Sequence, residues 1–306
     1  MLGRSVARSL REEDAPLLAP EVAAIAGEAD LFVLNLECCI SERGERWADP
    51  RKPFFFRAPP LAAERLAALG VDCVTLANNH VLDYGPVALA DTLAHLEAAG
   101  IAWVGAGMDA GEARRPRMLG DLTVVAFSDH PRAYAATDDR AGIAHAELDP
   151  LPGWLLECAG ATGPVLVLAH WGPNMTRAPS RAIRGAAAAL RRAGATFVAG
   201  HSAHVVHGVG NRVAYDLGDF VDDYAVDSRL RNDLGLLFLL ELEAGEPVGL
   251  QAVPLKLEFC FTRLAEGADA DWIARAFTAA CAELGTAVQR RGDRLYVRIG
   301  AHDDAG

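Results

Sequence analysis

Short apolar runs of strand length alternate along this chain with Ala-, Leu- and Arg-rich stretches of helical length. This alternation is typical of a layered α/β fold. The predicted helices Leu61–Leu69, Pro86–Ala99 and Arg181–Ala193 are each followed directly by a glycine, the preferred residue just beyond a helix. The predicted strands are Leu31–Leu36, Val71–Ala77, Leu122–Phe127, Val165–Ala169, Thr196–Ala199, Val213–Leu217 and Leu236–Leu240.

The last part of the chain has a different pattern. Two apolar segments, Leu236–Glu241 and Leu250–Leu257, predict strands that complete a sheet. A helix near Asp271–Leu284 and a last strand, Arg294–Ile299, follow them. Because no Pro/Gly-rich boundary separates this part, we predict a single domain over residues 1–306, with 236–306 as a C-terminal elaboration.

Charge and hydropathy exclude several classes of protein. The 29 basic and 41 acidic residues give a formal net charge of −12, which argues against nucleic acid or an anionic membrane as the main partner. No apolar run approaches the ~18 residues that a membrane span needs, and the first residues lack the apolar centre of a secretory signal. We therefore expect a cytoplasmic protein without a membrane span. The six cysteines form no C-x-x-C pair, so the pattern predicts no cysteine-bound zinc.

Metal-capable side chains follow four of the predicted strands. Glu37 follows the first, Asn79 and His80 the second, His170 the next, and His201 and His204 come after Thr196–Ala199. A single polar residue after a strand is usually a turn former or a cap. Ligands of α/β sheets bind beyond the carboxyl ends of the strands, so four such ends together predict one site.

The residue types indicate the chemistry of that site. Imidazole nitrogens combined with carboxylate and amide oxygens suit zinc, iron or manganese, whereas magnesium and calcium prefer oxygen alone. We predict one or two divalent transition metals (Mn, Fe or Zn), in the manner of a two-metal hydrolytic site with a bridging carboxylate. A histidine that is not bound to metal, such as His80, would act as a general acid. Asp83, three residues later, is assigned to the catalytic pair with it.

Several neighbours are candidates for contact with a substrate. Arg51, Lys52 and Arg57 flank three phenylalanines and would hold an anion, or else belong to a solvated loop that packs its phenylalanines inward. His130 follows a fifth predicted strand, and Trp171 would form a wall of the pocket or simply pack. The predicted substrate-binding set is Arg57, Asn78, His130, Trp171 and Asp219.

The same segments resemble a known family. They are Asn35-Leu36-Glu37, Ala77-Asn78-Asn79-His80 with Asp83-Tyr84-Gly85, His170-Trp171-Gly172, Gly200 to His204, and Tyr215 to Phe220. From about Met1 to Asp233 they resemble the CapA family of poly-γ-glutamate capsule biosynthesis proteins, in the calcineurin-like metallophosphatase superfamily. The resemblance implies a four-layer α/β/β/α sandwich. It also implies Glu37 as bridging carboxylate, Asn79, His170 and His204 as metal ligands, and His80 as acid.

The chain departs from the family pattern in three places. The family usually opens with a strand that ends Gly-Asp-x-Met-Leu-Gly-Arg, and the given sequence starts inside it, at Met1. We therefore expect the natural gene product to extend upstream of Met1 by a short apolar strand that ends in Gly-Asp-x. Gly-x-His-Pro-His is replaced by a segment with His201, Ser202 and His204, and Leu-Gly-Asn-Phe carries Asp219 in place of Asn.

Two functions follow from the residues and the resemblance together. The first is a metal-dependent hydrolase that acts on a phosphoester or on a γ-glutamyl or other amide bond, with a small-molecule or polyglutamate-like substrate. The second is a non-catalytic accessory factor in poly-γ-glutamate or envelope polymer assembly. The altered histidine spacing and the absent Asp favour the second, and the four strand ends favour the first.

Overall fold

The computed structural model describes residues 1–12 and 15–299, so the end of the predicted elaboration, 300–306, lies outside the described residues. The helices are α1 Arg4–Ser9, α2 Pro20–Ala26, α3 Leu61–Ala68, α4 Gly85–Ala98, α5 Ala110–Ala113, α6 Gly153–Ala159, α7 Arg181–Ala193 and α8 Gly267–Ala282, with a 3₁₀ turn at Arg132–Tyr134. The strands are β1 Val33–Asn35, β2 Cys39–Ile40, β3 Arg57–Ala58, β4 Cys73–Thr75, β5 Ala102–Val104, β6 Ala106–Gly107, β7 Arg117–Leu119, β8 Leu122–Ser128, β9 Gly142–Ile143, β10 Val165–His170, β11 Phe197–His201, β12 Val209–Gly210, β13 Val213–Ala214, β14 Leu234–Glu243, β15 Glu246–Glu258, β16 Phe261–Leu264, β17 Val288–Arg291 and β18 Arg294–Arg298.

The predicted mixed α/β class is confirmed, although several elements have different ends. The helix expected near Asp271 begins earlier, at Gly267, and the strand expected over Leu31–Leu36 is shortened to β1. Strand β5 was not predicted, because a segment of three residues is too short to show a period. No helix in residues 1–12 and 15–299 is long and apolar enough to cross a membrane.

Three main sheets make up the structure. β1, β4 and β5 form a parallel three-stranded sheet, and a six-stranded sheet has the order β12-β13-β11-β10-β8-β7. Four consecutive strands of the second sheet run parallel to one another: β8, β10, β11 and β13. The C-terminal part adds an antiparallel sheet with the order β14-β15-β18-β17, and β16 pairs with β15.

One hydrophobic cluster joins the three sheets. It contains Val104 of β5, Leu168 of β10, Leu250 of β15 and Phe277 of α8, all of them buried. The opposite face of the six-stranded sheet packs against α6 and α7 in a separate cluster. Because all three sheets bury side chains in this cluster, the C-terminal sheet shares buried contacts with the other two.

Helix α7 shows how the chain places two site residues side by side. The Ser180 hydroxyl accepts a hydrogen bond from the Ile183 N–H at 3.2 Å, which caps the start of the helix. Gly194, with φ +124°, ends it in a conformation that side chains rarely adopt. The helix connects β10 to β11, and these two strands pair in parallel with His170 opposite His201.

Candidate metal centre

His170 and His201 occupy adjacent strand ends and contact each other directly. Their Nδ1 atoms are 2.7 Å apart, and both side chains are buried. Burial lowers the pKa of His201 to about 3, and burial together with the surrounding imidazoles lowers the pKa of His170 well below its usual value. Both rings are therefore neutral at pH 7, and neutral imidazole is the form that binds metals.

The end of β1 is fixed by amide side chains. Asn35 donates to Glu37 Oε2 at 3.1 Å, and the Asn78 amide donates to Asn35 Oδ1 and to the carbonyl of Leu36, each at 3.0 Å. Asn78 Oδ1 in turn accepts the N–H groups of His80 and Val81. Asn78 is fully buried, and its hydrogen bonds join the segments that follow β1 and β4. Its contact with a substrate stays a prediction.

The turn after β4 carries a histidine–aspartate pair. His80 Nδ1 donates to Asp83 Oδ2 at 2.7 Å, and the same oxygen accepts the N–H of Phe56 at 2.6 Å. The ring of Phe56 lies edge-on to that of His80, with centroids 4.6 Å apart. This arrangement fixes the ring orientation of His80 and leaves its Nε2 as the atom that can act on a substrate.

His204 forms the other carboxylate pair. Its Nδ1 lies 2.7 Å from Asp219 Oδ1. Burial alone would lower the pKa of His204, but the Asp219 carboxylate outweighs it and raises the pKa to about 10. Asp219, which stands where the family has Asn, is therefore a direct partner of one predicted ligand.

His130 belongs to the same neighbourhood as the buried pair of histidines. Its ring centroid is 5.0 Å from that of His170, and its Nδ1 is hydrogen-bonded to Asp129. Asp129 also accepts the N–H of Gly172 at 3.0 Å, so it links the ends of β8 and β10. Asp129 was not predicted from the sequence, although it lies two residues after a predicted strand and satisfies the same positional rule that selected His130.

Two further predicted residues contact other parts of the protein, and not the histidines described above. Trp171 is almost fully buried and donates from Nε1 to the carbonyl of Tyr215 at 2.9 Å, so it packs in the core and does not form a pocket wall. The guanidinium of Arg57 lies 4.0 Å from the ring centroid of Tyr84 and donates to the carbonyl of Arg43.

Several side-chain atoms of the site are buried and make no hydrogen bond within the described residues. A buried polar atom without a partner costs free energy, and each such atom in a native protein calls for an explanation. Nitrogen and oxygen donors of these kinds fit zinc, iron or manganese. The atoms are Glu37 Oε1, Asn79 Oδ1, His170 Nε2, His201 Nε2 and Asp219 Oδ2.

These side chains come from different sheets but share one region. The imidazoles of His130, His204 and His80 all act on the pKa of His170, and the Glu37 carboxylate acts on that of His204. A cavity of about 740 Å³ is lined by Glu37, His201, His204 and Asp219 together with many apolar side chains. In residues 1–12 and 15–299, however, no three His, Cys, Asp or Glu side chains are already arranged as a metal-binding group.

The fold and the site define a mixed α/β protein with imidazole and carboxylate groups at the carboxyl ends of parallel strands. The sequence model of the bacterial capsule synthesis protein PGA_cap matches residues 1–224, and the chain belongs to this family. The resemblance drawn from the motifs is thereby confirmed, and with it the link to the metallophosphatase-like superfamily, to which CapA belongs.

Curated relatives carry related names. The chain is 32% identical over 291 residues to a probable polyglutamine synthesis accessory protein of Mycobacterium tuberculosis, a match that covers 87% of this chain and 76% of the relative. It is 26% identical over 234 residues to the PGA biosynthesis protein CapA of Bacillus subtilis, covering 73% and 61%. A capsule biosynthesis protein CapA of Bacillus anthracis is 26% identical over 240 residues, covering 73% and 58%.

Proposed function

We propose that this protein is a metal-dependent hydrolase of the calcineurin-like superfamily that acts in the synthesis or processing of poly-γ-glutamate or a related capsule polymer. The observation that carries the proposal is the set of buried, unpartnered nitrogen and oxygen atoms at the strand ends. The names of the relatives support the polymer, because they refer to PGA, capsule and polyglutamine synthesis.

The residues divide into two tasks under this proposal. Glu37, Asn79, His170 and His201 would hold one or two Mn, Fe or Zn ions, and His204 would join them after releasing the ring proton that Asp219 stabilises. Such ions lower the pKa of water and polarise a phosphoryl or carbonyl group. His80, oriented by Asp83, holds a proton at Nε2 and delivers it to the leaving oxygen or nitrogen. His130, oriented by Asp129, lies beside His170 in position to contact the substrate.

The proposal includes the four-layer α/β/β/α arrangement of the superfamily. Two features support it: the shared cluster between the sheets, and the α6–α7 layer on the outer face of the six-stranded sheet. On the other side, Leu66 of α3 and Leu89 of α4 pack in one cluster with Val74 of β4. A crystal structure in which α3 and α4 do not cover the outer face of the sheet formed by β1, β4 and β5 would contradict it.

Metal analysis tests the proposed site directly. Protein purified without chelator is expected to retain metal, whereas Glu37→Ala and His170→Ala lose most of it because each removes a donor. His95→Ala serves as the matched control, since His95 lies on α4 and is only partly buried. If wild type retains no more metal than Glu37→Ala, the site assignment is wrong.

Turnover separates the two candidate functions. Phosphomonoester, phosphodiester and poly-γ-glutamate substrates are offered with Mn, Fe or Zn, and His80→Ala is expected to lower kcat by about 10²- to 10⁴-fold. The accessory function is favoured by the name of the mycobacterial relative, and it predicts polymer binding without turnover. Metal-dependent turnover that His80→Ala abolishes would rule out the accessory function.

A further inference from the structure

Lys52 lies in the loop between β2 and β3, and its side chain is turned into the protein. Only 13% of the Lys52 side chain is exposed, whereas that of its neighbour Arg51 is 90% exposed. The ammonium lies 5.5 Å from the ring centroid of Tyr134 and 5.9 Å from that of Phe55. Aromatic rings therefore shield a charge that, on a solvated loop, would be free to bind an anion.

The carboxylate of Asp83 explains why a cation is buried here. The Asp83 side chain has no exposed surface, and a charge removed from water requires a counter-charge and hydrogen bonds. Lys52 Nζ is 2.9 Å from Asp83 Oδ1. The other oxygen, Oδ2, accepts from Phe56 N–H and His80 Nδ1, so each carboxylate oxygen has its own partners.

The same ammonium also bonds the backbone of the turn. Lys52 Nζ donates to the carbonyl of Asn79 at 2.7 Å and lies 3.5 Å from His80 Nδ1. Lys52 Nζ thus links the backbone of Asn79 to the carboxylate of Asp83, which orients His80. With two of its three N–H groups used on Asn79 and Asp83, Lys52 has little capacity left for a substrate.

We propose that Lys52 is a positioning residue: it locks the turn 79–83, so that the Asn79 amide and the His80 ring face the site together. The assignment goes beyond the proposed function and rests on it for the role of His80. It replaces the expectation that Lys52 holds an anionic substrate. The two roles differ in kinetics, because a positioning residue affects kcat whereas an anion-binding residue affects KM.

The kinetic test compares Lys52→Met, Lys52→Arg and the control Arg115→Met, which changes an exposed arginine between α5 and β7, in the full chain. Lys52→Met is expected to lower kcat by about 10- to 100-fold, as for the loss of an outer partner of a site residue, with KM within about twofold of wild type. Lys52→Arg keeps the charge and is expected to recover part of kcat, and Arg115→Met is expected to match wild type. A raised KM with unchanged kcat in Lys52→Met or Lys52→Arg would overturn the assignment.

A second measurement needs neither turnover nor metal. In wild type the His80 Nδ1 proton, held by buried Asp83, is expected to give a slowly exchanging downfield proton resonance in NMR, identified by its loss in His80→Asn. Lys52→Met is expected to broaden it by exchange with water, while Lys52→Arg and Arg115→Met retain it. Should Lys52→Met fail to fold, Lys52→Gln takes its place.

The two measurements separate the two possible failures. If wild type shows the resonance but hydrolyses none of the substrates, the proposed function is wrong. The Lys52 assignment is then tested by the resonance alone. A resonance that exchanges equally slowly in Lys52→Met and in wild type means that Lys52 does not hold the pair, and overturns the assignment whatever the activity.

Discussion

At the scale of single residues, the burial of His201 is expected to make the protein less stable in acid. His201 has a folded-state pKa of about 3, whereas an unfolded imidazole titrates near 6.5. Between these pH values the unfolded chain binds a proton that the folded state does not. The free energy of unfolding therefore falls as the pH falls through this window.

The first prediction follows from that difference. His201→Gln removes the titrating ring, so the fall in unfolding free energy between pH 6.5 and 4.5 is expected to be shallower, by up to about 1.4 kcal/mol per pH unit. Urea unfolding of metal-stripped wild type and variant measures it. Asp216, whose pKa burial raises to about 7, acts in the opposite direction but is present in both proteins, so it cancels in the comparison. Parallel curves for the two proteins would contradict the prediction.

At the scale of elements, the close contact between β11 and the segment after β10 depends on Gly200. A Cβ atom at this position would lie 2.2 Å from the carbonyl oxygen of Tyr215 and 2.5 Å from Nε1 of Trp171. These two groups are hydrogen-bonded to each other, so neither can move away without breaking that bond. Gly200 therefore allows the indole to pack against the strand that ends at His201.

The second prediction uses a matched pair of glycines. Gly200→Ala is expected to lower the free energy of unfolding by about 1–3 kcal/mol through overpacking. Gly185→Ala, in the exposed interior of α7 with no atom near the added Cβ, is expected to raise it by about 0.5–1 kcal/mol. Thermal and urea unfolding of both variants measure the difference. If both substitutions shift stability in the same direction, the steric argument is wrong.

At the scale of the whole molecule, the C-terminal sheet is bound to the rest of the chain in several ways. Thr262 of β16 exchanges backbone hydrogen bonds with the segment before α2, donating to Leu17 and accepting from Ala19. Arg294 of β18 pairs with Glu28, 266 residues earlier in the sequence. The single domain over 1–306 remains a prediction, and these contacts support it.

The third prediction tests this unity. Wild type is expected to unfold in one transition, with far-UV circular dichroism and tryptophan fluorescence giving the same midpoint. A chain cut after Gly235 loses the strands and helix that cover the shared cluster, and it is expected to show no cooperative unfolding. Two separate transitions in wild type, or a cooperative 1–235 fragment, would show that 236–306 folds apart from the rest.

Local sequence patterns were sufficient to predict the class of fold and the strand ends that carry polar groups. Both follow from local signals: an apolar run, a glycine after a helix, and the polar residue that comes after a strand. Glu37, His170 and His201 were found in this way: His170 and His201 are the last residues of β10 and β11, and Glu37 lies two residues after the end of β1. The three-residue strand β5 was not predicted, because so short a segment has no detectable period.

The tertiary structure decided which of these polar residues are available and which are already used. Asn78 and Trp171 have side chains suited to binding, yet both are spent on internal hydrogen bonds. From the sequence, Lys52 is expected to be a cation on a loop, but in the structure it pairs with Asp83, a residue 31 positions away. Such pairings depend on which residues the path of the whole chain brings together and on which polar groups become buried. Neither can be predicted from a local sequence pattern.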